Sequence, residues 1–161
     1  ILLQYQDRGK WNKELMQTGY FYLNKSSQGD YLSVYHVESA IAAEHCLAPS
    51  FAETNWQRML DLYDLLLRIK ATPVVKINMA IILAQAGKTA EAIESVLAID
   101  NLGTLLQNQY MYSAVLGDLY LTHGDYNEAK KYLSLSLQLT TSEPEKKLLK
   151  EKLKNIAAAI T

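Results

Sequence analysis

The chain has 161 residues, 49% of them hydrophobic and 20% charged, and 16 Lys+Arg against 17 Asp+Glu leave a net charge of −1. That length suits one domain with a sizeable core. The charge balance argues against a basic nucleic-acid arm and against an acidic disordered tail. One cysteine, Cys46, excludes an internal disulfide framework and a multi-Cys zinc site. No apolar run approaches 18 residues, so nothing in the sequence reads as a membrane span. Seven Gly and three Pro are few, which favours long helices over turn-rich sheets. The first residue is Ile, with no charged-then-apolar leader behind it, and the chain reads as a piece of something longer. The composition predicts a soluble, cytoplasmic, all-helical domain.

Helical periodicity begins with Trp11, Leu15, Tyr22 and Leu23 and breaks at 26–30, where Gly29 is the stop signal. A second helix is expected over 31–46, with Tyr31, Val34, Val37 and Ile41 and the small residues Ala40, Ala42 and Ala43; Ala48-Pro49-Ser50 ends it. Thr54-Asn55-Trp56-Gln57 reads as a capping box, with Thr54 as the cap. Met59, Leu60, Leu62, Tyr63, Leu66 and Leu67 make the next helix broadly apolar. Thr72-Pro73 ends it and places Pro at the first position of its successor.

An internal repeat follows. Aligning 73–102 with 110–139 pairs Ala80 with Gly117, Leu83 with Tyr120, Gly87 with Gly124 and Ala92 with Ala129, each 37 positions apart. This is close to the tetratricopeptide (TPR) pattern of about 34 residues. A small residue in the first helix admits the second, Gly takes a left-handed turn, and Ala in the second helix faces the small residue. The surplus residues are expected near 101–103. Two earlier hairpins, 9–46 and 54–70 with their neighbours, read as degenerate members of the same stack. A last helix over about 144–160 carries the stripe Leu149, Leu153, Ile156 and Ile160, with Lys146, Lys150 and Lys154 on another face. It is the expected terminal cap. The predicted architecture is therefore one all-α domain over 1–161, a TPR-like right-handed stack of hairpins. Its clearest units are 73–107 and 110–143.

Residue chemistry offers little for catalysis. His36 and His45, nine residues apart, fall on opposite faces of a helix and cannot share a metal. His123 precedes the turn glycine and suits a helix C-terminus. Cys46 reads as a buried thiol, and Asp61 and Asp64 as a solvated edge. No phosphate-cradling loop, nucleophile elbow or H-E-x-x-H occurs, so the expectation is a non-enzyme with no cofactor, no metal and no small-molecule ligand. The eleven tyrosines lack the clustered Lys/Arg that nucleic-acid stacking needs and read as packing aromatics. In a TPR stack the first helix of each unit lines a groove. Val74, Ile77, Ile81 and Ala84 would line it in one unit, and Met111, Ala114, Asp118 and Leu121 in the next. That groove is mostly apolar, unlike the Lys, Arg and Asn surface of TPR domains that clamp a peptide carboxylate, and is a candidate protein-binding surface.

Five phrases in order resemble the C-terminal, TPR-like extension of certain bacterial extracytoplasmic-function (ECF) sigma factors. Gln6-Asp7-Arg8-Gly9-Lys10-Trp11 resembles its D-Q-D-R-x-x-W. Residues 38–45 (Glu-Ser-Ala-Ile-Ala-Ala-Glu-His) resemble Q-A-A-I-A-A-x-H. Thr54-Asn55-Trp56 with Leu62-Tyr63-Asp64-Leu65-Leu66 resembles T-D-W…L-Y-D-x-L. Thr72-Pro73-Val74-Val75 with Ile77-Asn78-Met79-Ala80 resembles S-P-V-V-x-L-N-R-A. Leu139-Thr140, Glu145 and Leu149 resemble L-T-x-N-x-x-E-x-x-x-L. The likeness spans about 3–156. Met79 stands where the family has Arg, and Asn55 where it has Asp. The resemblance implies a regulatory, non-catalytic, protein-binding tail of a transcription initiation factor. Its partners would be the sigma domains N-terminal to it, which this sequence does not contain, or core RNA polymerase. It implies no direct DNA binding by the tail. The rival reading is a free-standing TPR-type adaptor for an unrelated protein.

Overall fold

The computed structural model describes residues 3–29 and 31–160 and is all-helical. Among these residues there are nine α-helices, two short 3-10 turns and no strand. The chain divides into two compact units, 1–75 and 76–161, and the division falls in the first turn of the fourth helix.

The first unit holds 3-10 turns at Leu3–Tyr5 and Arg8–Lys10, then α1 (Lys13–Ser26), α2 (Val34–Leu47) and α3 (Trp56–Ile69). Asn12 caps α1 by accepting from the Leu15 amide at 3.0 Å. At α2 the cap is reciprocal in an unusual way: the Ser33 amide donates to His36 Nδ1 at 3.1 Å, so His36 fills the role Glu or Gln has in a capping box. At α3 the cap is Asn55, one residue later than expected; its Oδ1 accepts from the Arg58 amide at 3.0 Å. Thr54 is buried instead, and Gln57 donates to Asp61 at 3.2 Å rather than reaching back. Asn55 thus caps α3 with a neutral side chain. Val37 and Ile41 of α2 and Met59, Leu60 and Leu66 of α3 are buried. The stripe expected from Trp11, Leu15 and Tyr22 does not form: Trp11 precedes α1, and Leu15 and Tyr22 are exposed.

The second unit continues α4 (Pro73–Gln85) and adds α5 (Thr89–Leu97), α6 (Leu102–Asn108), α7 (Tyr110–His123), α8 (Tyr126–Leu139) and α9 (Glu143–Ile160). Two TPR-like hairpins, α4–α5 and α7–α8, turn on Gly87 (φ +81°) and Gly124 (φ +90°). Their closures are identical. Gly87 N and Lys88 N donate to Ala84 O and Leu83 O; Gly124 N and Asp125 N donate to Leu121 O and Tyr120 O. This is the Schellman closure, which needs a left-handed residue. A Cβ on Gly124 would meet nothing within 4 Å. Gly124→Val is therefore expected to cost more than about 1 kcal/mol through the backbone alone, read as a lower denaturation midpoint.

The hairpins differ in their second helix. α8 runs 14 residues from an Asp125 cap, whereas α5 stops after 9. Asn101 then takes a left-handed φ of 57° and α6 follows. The surplus in the first repeat is absorbed there. One core joins Ile77, Ala80, Ala92, Val96, Ile99, Tyr112 and Leu116; another joins Ala129 and Leu133 to Leu149 and Ile156 of α9. Leu153 packs on the latter, while the side chain of Ile160 lies outside the described residues. The Tyr110 carbonyl accepts from both Ser113 Oγ (2.9 Å) and Ser136 Oγ (3.1 Å), which ties the start of α7 to the end of α8. Tyr120 and Tyr132 stack with centroids 5.7 Å apart.

Candidate functional site

Burial sorts the candidate groove residues. Ile77 is fully buried in the second unit's core, so it does not line a groove; the apolar residues all round α4 hide that phase from the sequence. Ile81 is 37% exposed, and Val74, at the end of the first unit, is 49% exposed. Ala84 and Met111 pack against the core from its edge, and Ala114 is half-buried. Asp118 is no free polar point in an apolar lining: Lys152 Nζ of α9 reaches its two oxygens at 2.6 and 2.7 Å. Leu121 packs on the α8–α9 cluster. On the α7 side, α9 therefore covers Asp118 and Leu121. The repeat positions Ala80, Ala92 and Ala129 are buried, as is Gly117. What lies against Gly117 is Leu133, one turn beyond Ala129.

A cluster in the first unit escaped the spacing arguments. Arg8 Nη1 donates to His45 O at 2.6 Å and to Ala48 O, at the carbonyl end of α2. A cation there satisfies free carbonyls and meets the negative end of the helix dipole. The guanidinium also lies over the Trp11 ring, 5.2 Å from its centroid. The His45 ring meets Trp56 edge-on at 6.2 Å, and Phe51 meets the same indole at 5.0 Å. Glu44 pairs with Arg58 of α3. Arg8 is 37 and 40 residues from its two acceptors, so no local pattern links them.

His45 is held below its ordinary pKa of 6.5, first by burial and then by the Arg8 charge, against a smaller opposing pull from Glu44. Its folded pKa is depressed, so the unfolded chain takes up the proton first. The stability it contributes is fully present above pH 6.5 and is lost as pH falls from there toward the folded pKa. Thermal melts at neutral and mildly acidic pH should show this loss, and His45→Gln should reduce it. An equal acid response in both proteins would remove His45 as its source.

Between α1 and α2 lies an open cleft of about 470 Å³. Its walls are Met16, Gly19, Tyr20, Tyr22, Leu23 and Ser26 on one side and Ser39, Ala42, Ala43 and Cys46 on the other. None is charged. The Tyr20 hydroxyl donates to Ala43 O at 3.3 Å. Burial, with the Cys46 thiol beside it, pushes its ionisation above the usual tyrosine range, so it stays a neutral donor. Among the described residues no three of His, Cys, Asp and Glu gather as a metal-ligand set, and no helix is long and apolar enough to cross a membrane. The cleft is lined by uncharged, mostly apolar side chains.

No protein-family model matches the chain. It is similar to a protein of Rhizobium meliloti (strain 1021) described as uncharacterized protein R00370, with 28% identity over 159 residues. That match covers 98% of this chain and 37% of the relative, so the chain spans little more than a third of the relative's length.

Proposed function

We propose that this chain is a non-catalytic protein-binding module, the regulatory tail of an ECF-type sigma factor, and that it acts in the cytoplasm by packing on the sigma domains or on core RNA polymerase. The observation that carries the reading is the convergence in the first unit. Arg8 and Trp11, His45, and Trp56 come from three separate phrases of the resemblance, yet they form one cluster through Arg8–His45, Arg8–Trp11 and His45–Trp56 contacts. The residues that carry the resemblance thus sit side by side in the fold, and this supports the reading. Direct DNA binding is not part of the proposal. The net charge is −1, and Lys146, the first of the three lysines on the basic face of α9, is already paired with Glu143. Counterion release from so few contacts is weak.

The test is transcription in a purified system with core polymerase, comparing the intact parent protein with one lacking this region. A tail-dependent change in initiation, together with binding of the isolated chain to the sigma domains or to polymerase, is the expected result. Equal initiation with and without the region, and no binding to either, would refute it and favour an adaptor for an unrelated protein.

A further inference from the structure

We propose that residues 3–12 are a strap fastened by Arg8 to the C-terminal end of α2, and that a proton on His45 unfastens it. The segment holds both 3-10 turns and runs up to the Asn12 cap of α1. None of its described side chains is buried, so it contributes no core residue of its own. Arg8 crosses from it to α2, where Nη1 donates to His45 O at 2.6 Å and to Ala48 O. The same guanidinium lies over the Trp11 ring, so a shift of Arg8 carries the whole second turn with it.

This fastening is short of acceptors. Nη1 takes both carbonyls. Arg8 Nε, Arg8 Nη2 and His45 Nδ1 are enclosed and have no hydrogen-bond partner among the described residues. A neutral imidazole tolerates that, because one of its ring nitrogens carries only a lone pair. A proton turns both nitrogens into donors. It also sets a second cation beside a guanidinium that is anchored on the carbonyl of the same histidine. No surrounding element offers a free carboxylate. On the strap, Asp7 accepts from the Gly9 amide at 3.0 Å and faces Lys10 at 3.7 Å. On α2, Glu44 is paired with Arg58 of α3. The Tyr20 hydroxyl of α1 donates to Ala43 O, and the Cys46 thiol beside it supplies no carboxylate either. Phe51 and Trp56, which complete the surroundings of the ring, are uncharged. The charged ring is therefore enclosed without a partner, and a buried unpaired charge is costly. Lifting a segment that has no core residue costs less than unfolding the unit, and it returns both the ring and the guanidinium to water. The lowered His45 pKa accords with this arrangement. The strap requires no partner protein and stands apart from the sigma-factor reading.

The 161-residue chain tests it in a Trp56→Phe background, which leaves Trp11 as the single indole. Acrylamide quenching of Trp11 should rise as pH falls from 7.5 to 5, while far-UV circular dichroism stays constant. One proton is taken up, so the ratio of open to fastened chain should rise by at most tenfold per pH unit. His45→Gln should hold Trp11 at its pH 7.5 level of quenching throughout. Arg8→Gln should show the open level at both ends of the range. Quenching that does not change with pH, or that rises equally in His45→Gln, would overturn the proposal. So would a rise that comes only with loss of the helical signal, since acid would then be unfolding the unit rather than lifting the strap.

Discussion

Ile77→Asp should unfold the second unit, while Ile81→Asp, one turn along the same helix, should leave it folded. Both positions read from sequence as the lining of one groove, but Ile77 is 0% exposed and Ile81 is 37% exposed. At Ile77 the new carboxylate would sit among Ala80, Ala92, Val96, Tyr112 and Leu116, with no cation in that cluster. An unpaired buried charge costs on the order of several kcal/mol, a large share of what holds a domain of this size together. At Ile81 the carboxylate can turn to water, and the loss should stay within about 1 kcal/mol. Thermal melts followed by circular dichroism separate the cases. If both variants unfold, Ile81 is core as well; if neither does, water reaches the α4–α7 packing.

Gly117→Ala should be nearly as damaging, although it adds one methyl group. A Cβ there would lie 2.6 and 2.7 Å from the Leu133 side chain and 3.0 Å from the Leu133 backbone nitrogen. Leu133 is fully buried and cannot swing into solvent, and its backbone belongs to the middle of α8. The two helices must therefore separate, at a cost of about 1–3 kcal/mol. Gly103→Ala supplies the contrast. A Cβ there meets nothing within 4 Å, and the position is helical, so that change should stabilise by roughly 0.5–1 kcal/mol. Equal and small effects at both sites would mean that α7 and α8 are less closely packed than described.

The features legible in the sequence are those fixed by one residue's own chemistry. Gly87 and Gly124 announced their turns because a left-handed backbone excludes most side chains, and Pro73 announced the start of α4 because it has no amide to leave unpaired. Elements decided by distant partners were not legible. Asp118 looked like a polar interruption in an apolar lining because its partner, Lys152, lies 34 residues on. Thr54 and Asn55 are both good caps, and which one caps α3 depends on the loop from Phe51, whose carbonyl takes the Thr54 amide. On α4 the apolar residues surround the helix, so periodicity gave its existence but not its phase. The Arg8 cluster was present as separate phrases, and only the fold shows that they meet.

The lack of any buried residue in α1 also sets a timescale. Its amides are held by one helix ladder, with no core that must come apart before they open, so the opening free energy is small. The α7–α8 pair is the reverse case, with Leu116, Gly117 and Leu133 locked together. Deuterium should replace the amide protons of α1 long before those of α7 and α8. Brief exposure to a broad-specificity protease should make its first cut within 13–33 and leave a product that retains α2 to α9. The chain would then come apart in order, from a segment that opens alone to a pair of hairpins that opens only as a whole.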